Sequence, residues 1–216
     1  MYLGTEGSEV YKSQDGGENW EYLATISNPD AVQMSFATRI LGIGIETTNH
    51  NNMYAALEVG GAARSVDAGK TWQQIAEGLD HDGHWIVVPT GEDEAVVAST
   101  GKGMFRSEDR GEHWAEANEG LVKRRYTAAP LASHPARPGF LLTGVTAVGP
   151  GRWSGPGGGD SGFARSEDGG KSWVEHTEGL PEPCVGVPRA LDIAPDDPDV
   201  CVAGMTDGTV WASEDG

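Results

Sequence analysis

Residues 166–173 read Ser-Glu-Asp-Gly-Gly-Lys-Ser-Trp, and the same eight-residue phrase occurs three more times. Residues 13–20 read SQDGGENW, residues 65–72 SVDAGKTW and residues 107–114 SEDRGEHW, while a shortened copy, SEDG, occupies 213–216. The shared template is Ser-x-Asp-x-Gly-x-(Thr, Ser, Asn or His)-Trp. Its aspartates stand at positions 15, 67, 109, 168 and 215, so the intervals are 52, 42, 59 and 47 residues. A period of that size, with Gly-rich punctuation, belongs to arrays of short strands such as propeller blades. Ahead of each serine the chain alternates in character, as in Glu9-Val10-Tyr11-Lys12 and Gly103-Met104-Phe105-Arg106, which is the period of a half-buried strand. The template then reads as a turn. Its carboxylate can accept backbone hydrogen bonds, Gly17, Gly69, Gly111 and Gly170 tolerate positive φ, and the hydroxyls of Ser13, Ser65, Ser107, Ser166 and Ser213 can brace the bend. Trp20, Trp72, Trp114 and Trp173 open the next strand with apolar surface for a neighbouring sheet. Four of the seven tryptophans fall at this one position, which assigns the position a packing role.

The phrase resembles the Asp-box, or BNR repeat, of β-propellers such as sialidases, sortilin-type receptors, some endoglucanases and photosystem II assembly factors. Asn19, His113 and Ser172 stand where threonine is usual, and the last copy lacks its glycine and tryptophan. The resemblance covers nearly the whole chain and implies an all-β domain over residues 1–216, a β-propeller of four-stranded antiparallel blades with about four to five blades present. It further implies that the box joins the third and fourth strands of a blade, away from the ligand face. Asp15, Asp67, Asp109, Asp168 and Asp215 are then turn makers rather than reacting groups. With strands named A (innermost) to D, the first blade has B at 1–5, C at 9–13 and D at 20–25. The second spans 39–76 (B 53–58, C 62–65), the third 85–117 (B 95–100) and the fourth 126–177 (B 140–145, C 163–166). The fifth offers A at 190–194, B at 200–205 and C at 209–213. Ring closure removes sheet edges, and a chain running from a B strand to a C strand does not close simply. The expectation is a fragment of a larger propeller, with a four-bladed ring or self-association through open edges as alternatives.

Composition narrows the partners. Lys and Arg number 15 against 33 Asp and Glu, a net charge of −18, which disfavours nucleic acid and anionic membrane. No run of 18 apolar residues and no signal peptide is visible, so a cytoplasmic location is favoured. With only five lysines, the acidity fits either a saline habitat or an ordinary acidic protein. Two cysteines, Cys184 and Cys201, cannot make a disulfide framework or a four-ligand zinc site. Cys201 reads as a strand core residue, Cys184 falls in a Pro-rich connector (181–189), and a single disulfide between them stays open. No cofactor motif is found.

If the box turns occupy one face, the B–C and D–A connections occupy the other, and three of them carry candidate ligand residues. The B–C connection of the fourth blade is enlarged to GPGRWSGPGGGDSG, residues 149–162, offering Arg152, Trp153 and Asp160; its alternative is a plain Gly-rich loop. Asp80-His81-Asp82-Gly83-His84-Trp85 enters the third blade, and His81, Asp82, His84 and Trp85 suit ligand contact, with too few ligands for a metal; the alternative is a hydrogen-bonded structural loop. Lys123-Arg124-Arg125-Tyr126 is the one basic cluster, where Arg124, Arg125 and Tyr126 could clamp a carboxylate or simply pair with nearby acids. Lys12, Arg64, Arg106 and Arg165 precede four box serines, a repetition that points to covering a neighbouring strand or pairing within the box.

Two function classes follow. A sialidase-type enzyme needs three converging arginines, a tyrosine nucleophile and carboxylate helpers, and the Phe-Arg-Ile-Pro motif of that family is absent. An ordinary glycosidase needs two carboxylates, one of them held protonated; Asp82 and Asp160 are candidates. The favoured reading is a non-catalytic scaffold that binds a protein or glycan on its loop face, as the assembly-factor relatives do, with glycoside hydrolysis as the alternative.

Overall fold

The computed structural model describes residues 1–28, 35–92, 94–127 and 129–215. Among these residues the chain forms five antiparallel sheets in sequence order, with a single 3-10 turn and no α-helix. The first holds β1 (Tyr2–Gly4), β2 (Glu9–Lys12) and β3 (Glu21–Thr25). The second holds β4 (Arg39–Ile45), β5 (Met53–Glu58), β6 (Gly61–Ser65) and β7 (Gln73–Gln74). The third holds β8 (Gly83–Val87), β9 (Val96–Thr100), β10 (Gly103–Ser107) and β11 (Ala115–Glu116). The fourth holds β12 (Tyr126–Thr127), β13 (Ala132–Ser133), β14 (Leu141–Thr146), β15 (Ser161–Ser166) and β16 (Val174–His176). The fifth holds β17 (Pro188–Ala194), β18 (Asp197–Met205) and β19 (Val210–Ser213). No strand pairing joins the first sheet to the fifth among the described residues, so no ring is closed.

Uniform four-stranded blades are therefore a coarser truth than expected. The sheets contain three, four, four, five and three strands. In the fourth, the innermost strand is broken into β12 and β13, both paired with β14, and Pro130 between them has no N–H for the ladder. The inner strand of the third sheet begins at Gly83 rather than 85, which moves His84 out of the connection and into β8.

Every box lies where the repeat reading places it, between β2 and β3, β6 and β7, β10 and β11, β15 and β16, and after β19. One set of hydrogen bonds recurs. The serine Oγ–H donates to the aspartate Oδ1 at 2.7–2.9 Å in all five copies. In the four full copies the same Oγ accepts the N–H of the box glycine at 2.8–2.9 Å. Aspartate Oδ1 also accepts the N–H four residues on, and Oδ2 accepts that residue's side chain: Asn19, Thr71, His113 or Ser172, at 2.6–2.7 Å. The four residue types are interchangeable because each presents a donor at the same reach. The basic residues before the serines cover aromatic rings or pair with acids: Lys12 lies over Tyr2, Arg64 over Tyr54, and Arg165 over Phe140. Arg106 is buried and ion-paired with Glu92 and Glu108.

The core is divided into slabs, one per interface between consecutive sheets. Val10, Ile40 and Leu57 fill the first; Tyr54, Ile86, Phe105 and Trp114 the second; Met104, Leu141 and Trp173 the third; and Phe140 and Ile193 the fourth. Strand alternation feeds two slabs at once: in β9, Val96 and Ala98 face one side and Val97 the other. Cys201 packs in the last slab and Cys184 in a neighbouring cluster, and both thiols are free and pushed up by burial. The open question of a disulfide is thereby answered in the negative.

Gly111 sits at φ +91°, and a Cβ there would lie 2.5 Å from Ile75 Cδ1. Gly111→Ala is expected to cost about 2–4 kcal/mol from left-handed strain plus overpacking. Gly7→Ala, at φ +83° in open space, should cost only about 1–2 kcal/mol; urea denaturation compares the two. The box also sets acid sensitivity. Asp15, Asp67 and Asp109 ionise at about 2, held down first by the backbone N–H of Asn19, the hydroxyl of Thr71 and the imidazole of His113 respectively. Depressed carboxyls stabilise the fold above their unfolded value, and that contribution disappears as pH falls toward 2. Stability should therefore drop between about pH 4 and pH 2, and Asp67→Asn with Asp109→Asn should flatten that slope in denaturation curves.

Candidate functional site

The face opposite the boxes is built from the starts of the inner strands and from the enlarged connection between β14 and β15. Register slips near the start of β4, β8 and β17. Register in β8 slips between Gly83 and Trp85, leaving His84 as the extra residue, and in β17 it slips between Pro188 and Ala190, leaving Arg189. A bulge re-aims its side chain away from the pleat. Here it turns both residues toward Tyr126 and Trp153.

The result is a continuous row of side chains. His84 Nδ1 lies 2.9 Å from the Thr127 carbonyl oxygen and 3.1 Å from Thr127 Oγ1. The Thr127 hydroxyl proton is committed to the Thr100 carbonyl, so both groups act as acceptors and Nδ1 carries the hydrogen. Nε2 therefore faces Asp82 Oδ2 at 3.3 Å and Tyr126 Oη at 3.4 Å. Neutral, it accepts from the tyrosine; protonated, it donates to Asp82. Asp82 is held below the usual carboxylate range, first by its hydrogen bond with His84 and against the opposing push of burial. The His84 and Tyr126 rings are 5.1 Å apart, and Trp153 meets Tyr126 edge-on at 5.7 Å. Trp153 is fixed by its Nε1–H donating to the Val148 carbonyl at 2.8 Å, and the Arg189 guanidinium lies 5.8 Å from its ring centre. Tyr126 is pushed up to about 12, first by burial and then by the charges of Asp82 and Glu58.

Beside this row stands an ionic clasp. Asp160 accepts from Arg124 Nη2 at 2.7 Å and Lys123 Nζ at 2.5 Å, and its carbonyl accepts from Arg124 Nε at 2.7 Å. Burial pushes Asp160 up, but the Lys123 and Arg124 hydrogen bonds outweigh it and leave it lowered. Glu175, from β16, accepts the backbone N–H groups of Val122, Lys123 and Arg124 on Oε1 at 2.9–3.2 Å, and the Arg124 guanidinium on Oε2. Of the two readings of the basic cluster, local pairing describes Lys123 and Arg124.

Asp82, His84, Tyr126 and Trp153 thus come together, and Arg124 with Asp160 forms the clasp. The other sequence candidates separate from them. Trp85 packs across Gly42, where a Cβ would lie 2.8 Å from its ring, and against the third slab of the core. His81 is exposed, Arg125 is exposed with its Nε–H on the Leu121 carbonyl, and Arg152 is exposed on the 3-10 turn Pro150–Arg152. Arg189, Thr127 and Glu175 were not legible as site residues. Arg189 closed a proline-rich connector, and its bulge has no sequence signature. Among the described residues no three His, Cys, Asp or Glu side chains gather around a common point.

The family whose pattern is described as "Sortilin, neurotensin receptor 3" (Sortilin-Vps10) matches residues 60–184, more than half of the chain. The chain belongs to the Sortilin-Vps10 family. No curated protein sequence matches it. Among solved structures, YCF48 bound to a D1 peptide is similar at 15% identity and TM-score 0.60 over 99% of this chain and 62% of that one. The GH74 enzyme of Niastella koreensis is similar at 17% identity and TM-score 0.65 over 96% of this chain and 31% of that one. YCF48 from Cyanidioschyzon merolae gives 12% identity and TM-score 0.52 over 85% and 56%. These likenesses show an Asp-box β-propeller type of fold, of which the chain spans 62% and 31% of the first two structures.

The clasp makes a stability prediction. Glu175→Ala removes the acceptor of three backbone donors and a guanidinium, and should cost about 2–3 kcal/mol. Glu175→Gln keeps an acceptor oxygen and should cost less; thermal denaturation of both variants is the measurement.

Proposed function

We propose that the chain is a non-catalytic binding scaffold that takes a protein or glycan ligand on the face formed by Asp82, His84, Tyr126, Trp153 and Arg189. The supporting observation is the row itself. It offers tilted and edge-to-face aromatic surface ending in a cation, carried by the inner strands β8, β12 and β17 and the β14–β15 connection. A nucleophilic tyrosine needs a lowered or relayed proton; Tyr126 is pushed up to about 12, first by burial, and its one approach to a base is the long 3.4 Å contact with His84 Nε2. A glycosidase acid needs a raised carboxyl, whereas Asp82 and Asp160 are both lowered. Shape similarity to a protein solved with a bound peptide supports a peptide as the ligand class. Similarity to GH74 enzymes keeps a glycan as the second reading. The proposal includes the finer architecture, in which the five sheets are successive blades of one propeller domain spanning 1–216.

Peptide and glycan arrays probed with the chain are expected to return ligands whose binding drops about tenfold or more in Trp153→Ala and Arg189→Ala, in keeping with aromatic and arginine hot spots. Turnover of a fluorogenic glycoside panel that disappears in Asp82→Asn or Asp160→Asn would refute the scaffold reading.

A further inference from the structure

At one end of the row three hydrogen-bond acceptors crowd together with a single proton among them. His84 donates its Nδ1–H to the Thr127 carbonyl oxygen at 2.9 Å. Its Nε2 then presents a lone pair to Asp82 Oδ2 at 3.3 Å and to Tyr126 Oη at 3.4 Å. The tyrosine hydroxyl proton satisfies Nε2, and with that proton committed Tyr126 offers a ligand only lone pairs. Asp82 gains nothing from the arrangement. Among the described residues its carboxylate has no hydrogen-bond or ion-pair partner other than His84, and its side chain is 29% exposed. A partly buried carboxylate that faces a lone pair is short of a donor.

Two things can supply that donor. A proton on His84 Nε2 turns the imidazole toward Asp82, or a ligand brings its own donor. The chain's cations close to this end do not fill the role. Lys102 is paired with Asp80 at 2.6 Å, and His81 lies 3.8 Å from the same Asp80 carboxylate. Arg189 stands at the far end of the row, over Trp153. The field at the Asp82 end is also negative. Tyr126 is pushed up first by burial and then by the charges of Asp82 and Glu58, against a smaller pull from Arg189.

We propose, resting on the reading of the row as a ligand face, that Asp82 with Tyr126 Oη beside it receives a lysine or arginine side chain of the bound peptide, and that protonated His84 competes for the same carboxylate. A cationic donor fits better than a neutral hydroxyl, because hydrogen bonds between two ionised groups are about twice as strong. Aromatic rings beside the carboxylate attract cations, and a net charge of −18 steers them toward the chain. Ligand and proton then oppose each other. The groups facing His84 are Asp82, Tyr126 and Thr127, with His81 acting on Asp82, and Glu58 and Arg189 acting on Tyr126. Asp82 is lowered and Tyr126 raised, so neither changes charge between about pH 8 and pH 5, whereas a histidine does. Affinity for the cation should therefore fall as pH falls through that range.

The test is an NMR titration of the nitrogen-15-labelled 216-residue chain with the N-acetylated, C-amidated peptide GAKAG, following the Trp153 indole N–H. At about pH 8 a saturable shift is expected, with affinity about tenfold or more lower (1.4 kcal/mol per decade) when the lysine is acetylated. Asp82→Asn should weaken lysine binding equally. Asp196→Asn, at an exposed position in the turn between β17 and β18, removes the same charge and should leave it unchanged. Lowering the pH to about 5 should weaken binding several-fold in the native chain and in His81→Gln, and not in His84→Gln. Equal affinity for lysine and acetyl-lysine overturns the cation assignment while the ligand face stands. Tighter binding of cellotetraose than of the lysine peptide replaces the peptide with a glycan. Native-chain affinity that is flat in pH overturns the competition. Silence of the Trp153 signal toward every probe overturns both this assignment and the ligand face. The comparison of the two peptides needs no variant and stands even if a substituted chain fails to fold.

Discussion

One carboxylate, held by a serine hydroxyl and two donors four residues on, turns the chain between the outer strands of each of the first four sheets. Everything larger depends on that clip. It fixes where the following tryptophan emerges, and in the third and fourth sheets the tryptophan then reaches back to the carbonyl chain of the sheet before it. Local hydrogen bonding is thereby converted into contact between sheets. In the first two boxes the indole hydrogen bond stays local, although Trp72 also packs against the first slab. Trp20 and Trp72 donate their indole N–H to Gly17 and Gly69 of their own turns, and Trp20, with no sheet before it among the described residues, is 37% exposed.

This division of labour explains the placement of chemistry. The aspartates of the four full boxes are held in place by three or four local donors each, and three of them ionise near 2. At the other end of the strands, loop length and bulges vary without disturbing the clip. The row from Asp82 to Arg189 is assembled there from three sheets, and the clasp of Arg124, Asp160 and Glu175 anchors the loop that carries Trp153. Within the basic cluster, Lys123 and Arg124 are paired internally with Asp160 and Glu175.

Much of the fold was legible because it repeats at short range. Ser, Asp, Gly and Trp at fixed offsets declare their own hydrogen bonds, and alternation before each serine declares the strand, so the boxes and most strands fall where they were read. Boundaries shifted where a long-range partner decides them. β8 starts at Gly83 because Thr100 pairs there, and the inner strand of the fourth sheet is split about Pro130. Asp82, His84, Tyr126 and Trp153 were legible as candidates by residue type and loop position, while Trp85, a candidate on the same grounds, is half-buried against the third slab of the core.

By itself, then, the amino-acid sequence determined the turns, the strand faces and the order of the sheets, since these rest on interactions between residues a few positions apart. Only the tertiary structure decided which side chains meet. His84 and Thr127 are 43 positions apart and Arg124 and Asp160 are 36 apart. Their contacts depend on strand register, bulge position and the packing of one sheet on the next. Those quantities are set by the summed fit of many distant atoms, and no local pattern encodes them.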